Sequence, residues 1–237
     1  MELIFLDTET TGNDLKKDRL CQICYRDSVD IYTEYFKPPL PMTVKSMSIT
    51  HITDVMLADK QTFEDSQMKK DLVFLLASNV LVAHNAKFDI AMLEAEGVKV
   101  GQYICTLRVA RHLDTEGVIP EYNLQYLRYH YGLVVAGNPH DAEGDVNVLV
   151  ALFNLQLKEM MKTIPNREEA VKKMIEISST PSLYKVFNFG KYKEKTIAEV
   201  ASIDRGYLEW LLNQKLTAGD NDEDWIYTLK YYLGQKY

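Results

Sequence analysis

The sequence predicts an α/β fold, a mixed β-sheet flanked by helices, followed by a small α+β C-terminal domain. Three observations carry that prediction. Residues 3–38 hold three segments rich in β-formers, and residues 66–161 alternate helical apolar spacing with short buried strands. Around Thr163–Pro165 the pattern then breaks into a charged stretch with two prolines. The expected organisation is a first domain over 1–163, a linker with a short helix over 164–182, and a small domain over 183–237.

Each element follows from local pattern. Residues 3–9 are an apolar run that reads as a buried strand, released by the turn residues "TGND". "RLCQICYRD" and "IYTEYFKP" are separated only by a short polar "SVD", so the first three strands form an antiparallel meander, broken by "KPPLP". "SQMKKDLVFLLAS" is a helix and "VLVAH" a short buried strand. "AKFDIAMLEAEG" is a helix closed by Gly97, and "QYICTL" is a further strand. "RVARHLD", "NLQYLRYHYG" and "VNVLVALFNLQLKEMM" continue as helices. Beyond the linker, "YKVFNFGKYKEKTIAEV" reads as a hairpin and "RGYLEWLLNQKL" as a helix.

Composition narrows the function. A formal charge of -7 argues against binding nucleic acid through bulk positive charge, while leaving room for a local site with bound cations. No apolar run is long enough to span a bilayer, and the N-terminus lacks a basic stretch ahead of a cleavable apolar one, so a cytoplasmic protein is expected. Three cysteines fit a reducing compartment. "CQIC" has redox spacing but sits within a strand pattern, where Cys21 and Cys24 read as small half-buried residues.

The chemistry concentrates on carboxylates. Asp7 and Glu9 are two apart on a strand, so they share a face and repel unless something positive sits between them. In "AHNAKFD", Asn85 occupies a helix N-cap position with Asp89 about one turn inside; in "PHDAEGD", Asp141 is the N-cap, Asp145 lies one turn inside and His140 precedes the helix. Asp7, Glu9, Asp89 and Asp145 total four negative charges, which two Mg²⁺ or Mn²⁺ ions neutralise. Two such ions ~3.5–4 Å apart clamp the attacking and leaving oxygens of a phosphoryl displacement. His140 then serves as general base toward the attacking water. His84 and Asn85 are read as shaping the turn and the substrate path.

"FLDTETTG", "HNAKFD" and "HDAEGD" resemble, in order and rough spacing, the three motifs of the DEDDh exonucleases of the DnaQ-like group, over about residues 1–160. The resemblance implies a ribonuclease H-like fold and metal-dependent 3′-to-5′ hydrolysis of nucleic acid to nucleoside monophosphates. It places Asp7, Glu9, Asp89 and Asp145 on the metal-ligand positions and His140 on the general-base position, with Thr10 and Thr11 gripping the terminal nucleotide. "SMSITHITDVML" is similar to the family's pocket-lining segment without its Gly, which leaves His51 as either a nucleotide contact or a hydrogen-bonded loop residue.

"FNFGKYKEKTIAEVASIDRGYLEWLL" resembles the small C-terminal domain of exodeoxyribonuclease X-like proteins. Lys191, Lys193 and Lys195 would form one basic face if they lie on a strand, and Tyr207 and Trp210 are either core or base-stacking residues. DNA with single-stranded 3′ ends is the expected substrate, with a homodimer or a polymerase or repair complex as further partners and no membrane. RNA trimming is the alternative within the superfamily, and a non-catalytic binding module the alternative outside it.

Overall fold

The computed structural model describes residues 2–135, 141–217 and 222–236. Five strands, β1 (Leu3–Thr10), β2 (Leu20–Arg26), β3 (Ile31–Tyr35), β4 (Val80–Ala83) and β5 (Gln102–Cys105), form one sheet in the order β3-β2-β1-β4-β5. The β1–β2 and β2–β3 pairs are antiparallel, as the meander requires, and β1–β4 and β4–β5 are parallel. Between β3 and β4 run α1 (Val44–Thr50), α2 (Asp54–Leu57) and α3 (Gln67–Leu76); α4 (Lys87–Ala95) links β4 to β5. After β5 come α5 (Thr106–Leu113), α6 (Leu124–His130), α7 (Ala142–Met160) and α8 (Arg167–Ser179), then α9 (Ile197–Ile203), α10 (Arg205–Thr217) and α11 (Glu223–Tyr232).

Period-two alternation in β1 divides the core between the two faces of the sheet. Ile4 and Leu6 pack with Leu72, Leu76, Met92 and Leu93 of α3 and α4. Leu3 and Phe5 pack on the opposite face with Leu149, Phe153 and Val109, and the Phe5 and Phe153 rings meet edge-to-face at 5.3 Å. Asp7 and Glu9 continue the Phe5 face toward α7, while Thr8 continues the face toward α4. Because β4 pairs with β1 only over Leu3–Phe5, the acidic end of β1 runs past β4 and leaves an opening at the carboxyl ends of the parallel strands.

Several local expectations change. The helix expected within the linker is α8, thirteen residues long, and it is docked, with Ala170, Met174 and Ser178 buried at i, i+4, i+8 spacing. Ala170 and Met174 join the core of the α7 face, and Ser178 Oγ accepts from the Cys105 N–H at 2.8 Å. The hairpin over 184–200 is irregular, with one bridge between Val186 and Thr196 and a 3₁₀ turn at Gly190–Tyr192. Lys191, Lys193 and Lys195 therefore do not alternate along a strand, and Lys191 pairs with Asp204 Oδ2 at 2.9 Å. Phe187, Leu208, Leu212, Trp225 and Leu229 make the core of this segment with α9–α11; Tyr207 is half-buried against it and Trp210 is 54% exposed. Among the described residues, no helix is long and apolar enough to cross a membrane.

Candidate active site

Asp7, Glu9 and Asp145 come together at the end of β1, with one carboxylate oxygen of each within 4.8 Å of the others. β1 presents the first two, and α7, packed across the sheet, brings Asp145 from the fourth position of its first turn. Asp89 lies outside that triad of distances. It sits on α4, buried to 3% exposure, and accepts the Thr8 hydroxyl at 2.7 Å. Its charge still reaches both strand residues. Burial and then Asp89, Glu9, Asp145 and Asp141 push Asp7 well above the carboxylate range. Burial and then Asp145, Asp89 and Asp141 push Glu9 to about 8, and burial pushes Asp89 to about 7. Three acids within 4.8 Å of one another, with the charge of a fourth reaching two of them, form a donor set suited to hard divalent cations.

The other expected site residues divide. His140 lies outside the described residues. Asp141 is the N-cap residue of α7 but makes no side-chain capping bond, and its Oδ1 accepts instead from Gln22 Nε2 at 3.4 Å. Asn85 is not the cap of α4: that position is Ala86, and Asn85 takes the left-handed conformation at φ 60°, which Asn tolerates better than most residues. His84 is engaged inside the protein, with Nδ1 2.9 Å from Thr106 Oγ1 and Nε2 2.7 Å from the Tyr122 carbonyl. That carbonyl requires an N–H at Nε2, so Nδ1 accepts from the threonine, and burial lowers the ring to about 4.

A groove of about 420 Å³ opens beside Glu9, lined among others by Thr10, Ser46, Ile49, Thr50 and Phe88. The Thr10 and Thr11 side chains are buried and turned to internal work. Thr10 Oγ1 donates to the Gly12 carbonyl at 2.6 Å and Thr11 Oγ1 to Asp18 Oδ1 at 2.9 Å, while the Ser46 hydroxyl holds the Thr10 carbonyl. His51 caps α1 at φ 59°, exposed, one residue beyond the groove's Thr50. Sequence reasoning missed Thr8 and Gln125, the latter donating from Nε2 to Asp145 Oδ1 at 2.5 Å. For Thr8 a signal existed, since it alternates with Asp7 and Glu9 and so faces α4. Cys21 and Cys24 are free, buried and part of different clusters, so "CQIC" is strand packing.

A family model described as exonuclease matches residues 4–153, more than half of the chain. This chain belongs to the exonuclease family. It is a 3′-to-5′ exonuclease, built on a mixed five-stranded sheet. Residues 187–215 of the exonuclease match a second family, described as exodeoxyribonuclease X-like C-terminal. Exodeoxyribonuclease 10 of Escherichia coli (strain K12) is 32% identical over 240 aligned positions, covering 98% of each chain. DNA polymerase III subunit epsilon of Treponema pallidum (strain Nichols) is 32% identical over 177 positions, covering 66% of this chain and 76% of that one. Among solved structures, exonuclease X in complex with 5′ overhanging duplex DNA aligns with a TM-score of 0.56 at 27% identity, covering 74% of this chain and 99% of that one.

Proposed function

We propose that the protein hydrolyses DNA from single-stranded 3′ ends to nucleoside 5′-monophosphates, with Asp7, Glu9, Asp89 and Asp145 holding two Mg²⁺ or Mn²⁺ ions. The observation that carries this reading is the convergence of Asp7, Glu9 and Asp145 at one strand end, with Asp89 close enough to raise the Asp7 carboxyl further. Bound there, divalent cations supply positive charge to the attacked phosphate and its leaving oxygen. The chain supplies the rest. The groove beside Glu9 takes the terminal nucleotide, whose sugar and base meet Ile49, Thr50 and Phe88, with the tied-down Thr10 in its wall and Thr11 fixing the adjoining loop through Asp18. Thr8 fixes the Asp89 carboxylate so that its remaining oxygen lone pairs stay available. His140 takes the proton from the attacking water. His84 and Asn85 shape the turn that starts α4 and so place Asp89.

The test is a time course on 5′-labelled single-stranded DNA, duplex DNA and RNA of one sequence, with Mg²⁺, with Mn²⁺ and with chelator. The expected result is a metal-dependent ladder shortening from the 3′ end, fastest on single-stranded DNA, and slowed by roughly 10²–10⁴-fold in His140→Ala. Faster shortening of RNA would replace the proposed substrate, and full activity of His140→Ala at neutral pH would remove the general-base assignment.

A further inference from the structure

Asp145 faces a difficulty that the four-acid site creates for itself. One of its carboxylate oxygens stands within 4.8 Å of one from Asp7 and one from Glu9, and when all three are ionised, as cation binding requires, like charges at that range favour a rotamer that turns away. Something must hold it inward without cancelling the negative charge that a cation needs.

Gln125 has the chemistry for that task. It is the second residue of α6, half-buried, and its Nε2 donates to Asp145 Oδ1 at 2.5 Å. Its amide orientation is set from behind: Arg128 Nη1 lies 3.4 Å from Gln125 Oε1, and a guanidinium can only donate, so the amide oxygen must face Arg128 and the NH₂ must face the carboxylate. Arg128 is in turn anchored by a bond from Nη2 to the Val135 carbonyl at 2.6 Å. A lysine or arginine at position 125 would pair with Asp145 and remove the charge; a neutral amide fixes one carboxylate oxygen and leaves the charge intact.

We propose that Gln125 is a positioning residue for the metal site, holding Asp145 in the orientation in which it binds a divalent cation. This inference rests on the metal reading of the four acids. Outer partners of this kind, when removed, weaken metal affinity by roughly 10–100-fold.

Calorimetric titration of Mn²⁺ into the full-length protein and into Gln125→Leu and Gln125→Met measures it, alongside the Tm of each metal-free protein and the turnover of a single-stranded oligodeoxynucleotide against Mn²⁺ concentration. The expected result is a Mn²⁺ dissociation constant raised roughly 10–100-fold in both variants. The metal-free Tm and the KM for the oligonucleotide stay unchanged, and kcat recovers as Mn²⁺ is raised. An unchanged dissociation constant in the variants, with Mn²⁺ binding normally to the unaltered protein, would overturn the role of Gln125 alone. A lowered metal-free Tm with the same dissociation constant would likewise reduce Gln125 to a packing residue. Absence of Mn²⁺ binding by the unaltered protein would overturn the metal reading and this inference with it.

Discussion

Asp7 and Glu9 show how much a single residue spacing can disclose. Strand period is local, so two acids at i and i+2 in an apolar run announce a shared face and a demand for positive charge before any fold is known. Asp89 and Asp145 were legible by the same route, as acids in the first turn of helices that follow a break. Gln125 was not, because nothing about an amide in "NLQYLRYHYG" marks it until α6 packs beside α7. The raised acids also set a pH dependence. Glu9, at about 8, is protonated in the folded chain over a range in which the unfolded chain has it ionised. The folded state then binds more protons, so metal-free stability falls as pH rises from the ordinary carboxylate range to about 8. Bound metal opposes the fall because its ligands must be deprotonated. The expected outcome is a Tm in chelator that declines across that window and a Mn²⁺-induced Tm gain that grows with pH, with the decline flattened in Glu9→Gln. A Tm in chelator that climbed across the same window would count against the assignment.

Elements were legible where periodicity alone decides them and less so where docking does. The meander, the mixed sheet and the long α7 follow from pattern. In α8, the i, i+4, i+8 series Ala170, Met174, Ser178 was present but masked by its charged neighbours and flanking prolines, so its place against β5 emerged only with the sheet. The turn after β1 shows how an element's end serves the site. Asp18 accepts from the Thr11 hydroxyl at 2.9 Å and from the Asp14 N–H at 2.7 Å, and so ties down the loop that borders the groove. A Cβ on Gly12 would come within 2.9 Å of Asp18 Oδ1. Gly12→Ala is therefore expected to destabilise by about 1–3 kcal/mol and to raise KM for the oligonucleotide, measured by urea unfolding and by steady-state kinetics. Wild-type values for both would show that the loop absorbs the methyl group freely.

At the scale of the whole molecule, charge joins α11 to α4 and α5 of the nuclease domain. Glu223 meets Lys87 and Arg108, and Asp224 meets Arg108 at 3.1 Å, Arg111 at 2.7 Å and the Ser182 N–H at 2.9 Å. Arg108 is buried, so stripping both carboxylates in a Glu223→Gln/Asp224→Asn double variant leaves its charge unpaired. A loss of about 3–5 kcal/mol in urea unfolding is expected, and a loss near zero would mean that the contact is incidental. The ion pairs were not legible in the sequence, since they join residues more than a hundred positions apart. Whether four acids from β1, α4 and α7 form one metal site is decided by an anomalous difference map from a crystal grown with Mn²⁺ and a short oligodeoxynucleotide. Anomalous peaks are expected among Asp7, Glu9, Asp89 and Asp145, with the 3′ end in the groove beside Glu9. A map with the oligonucleotide bound and no peak at those carboxylates would contradict the four-acid site.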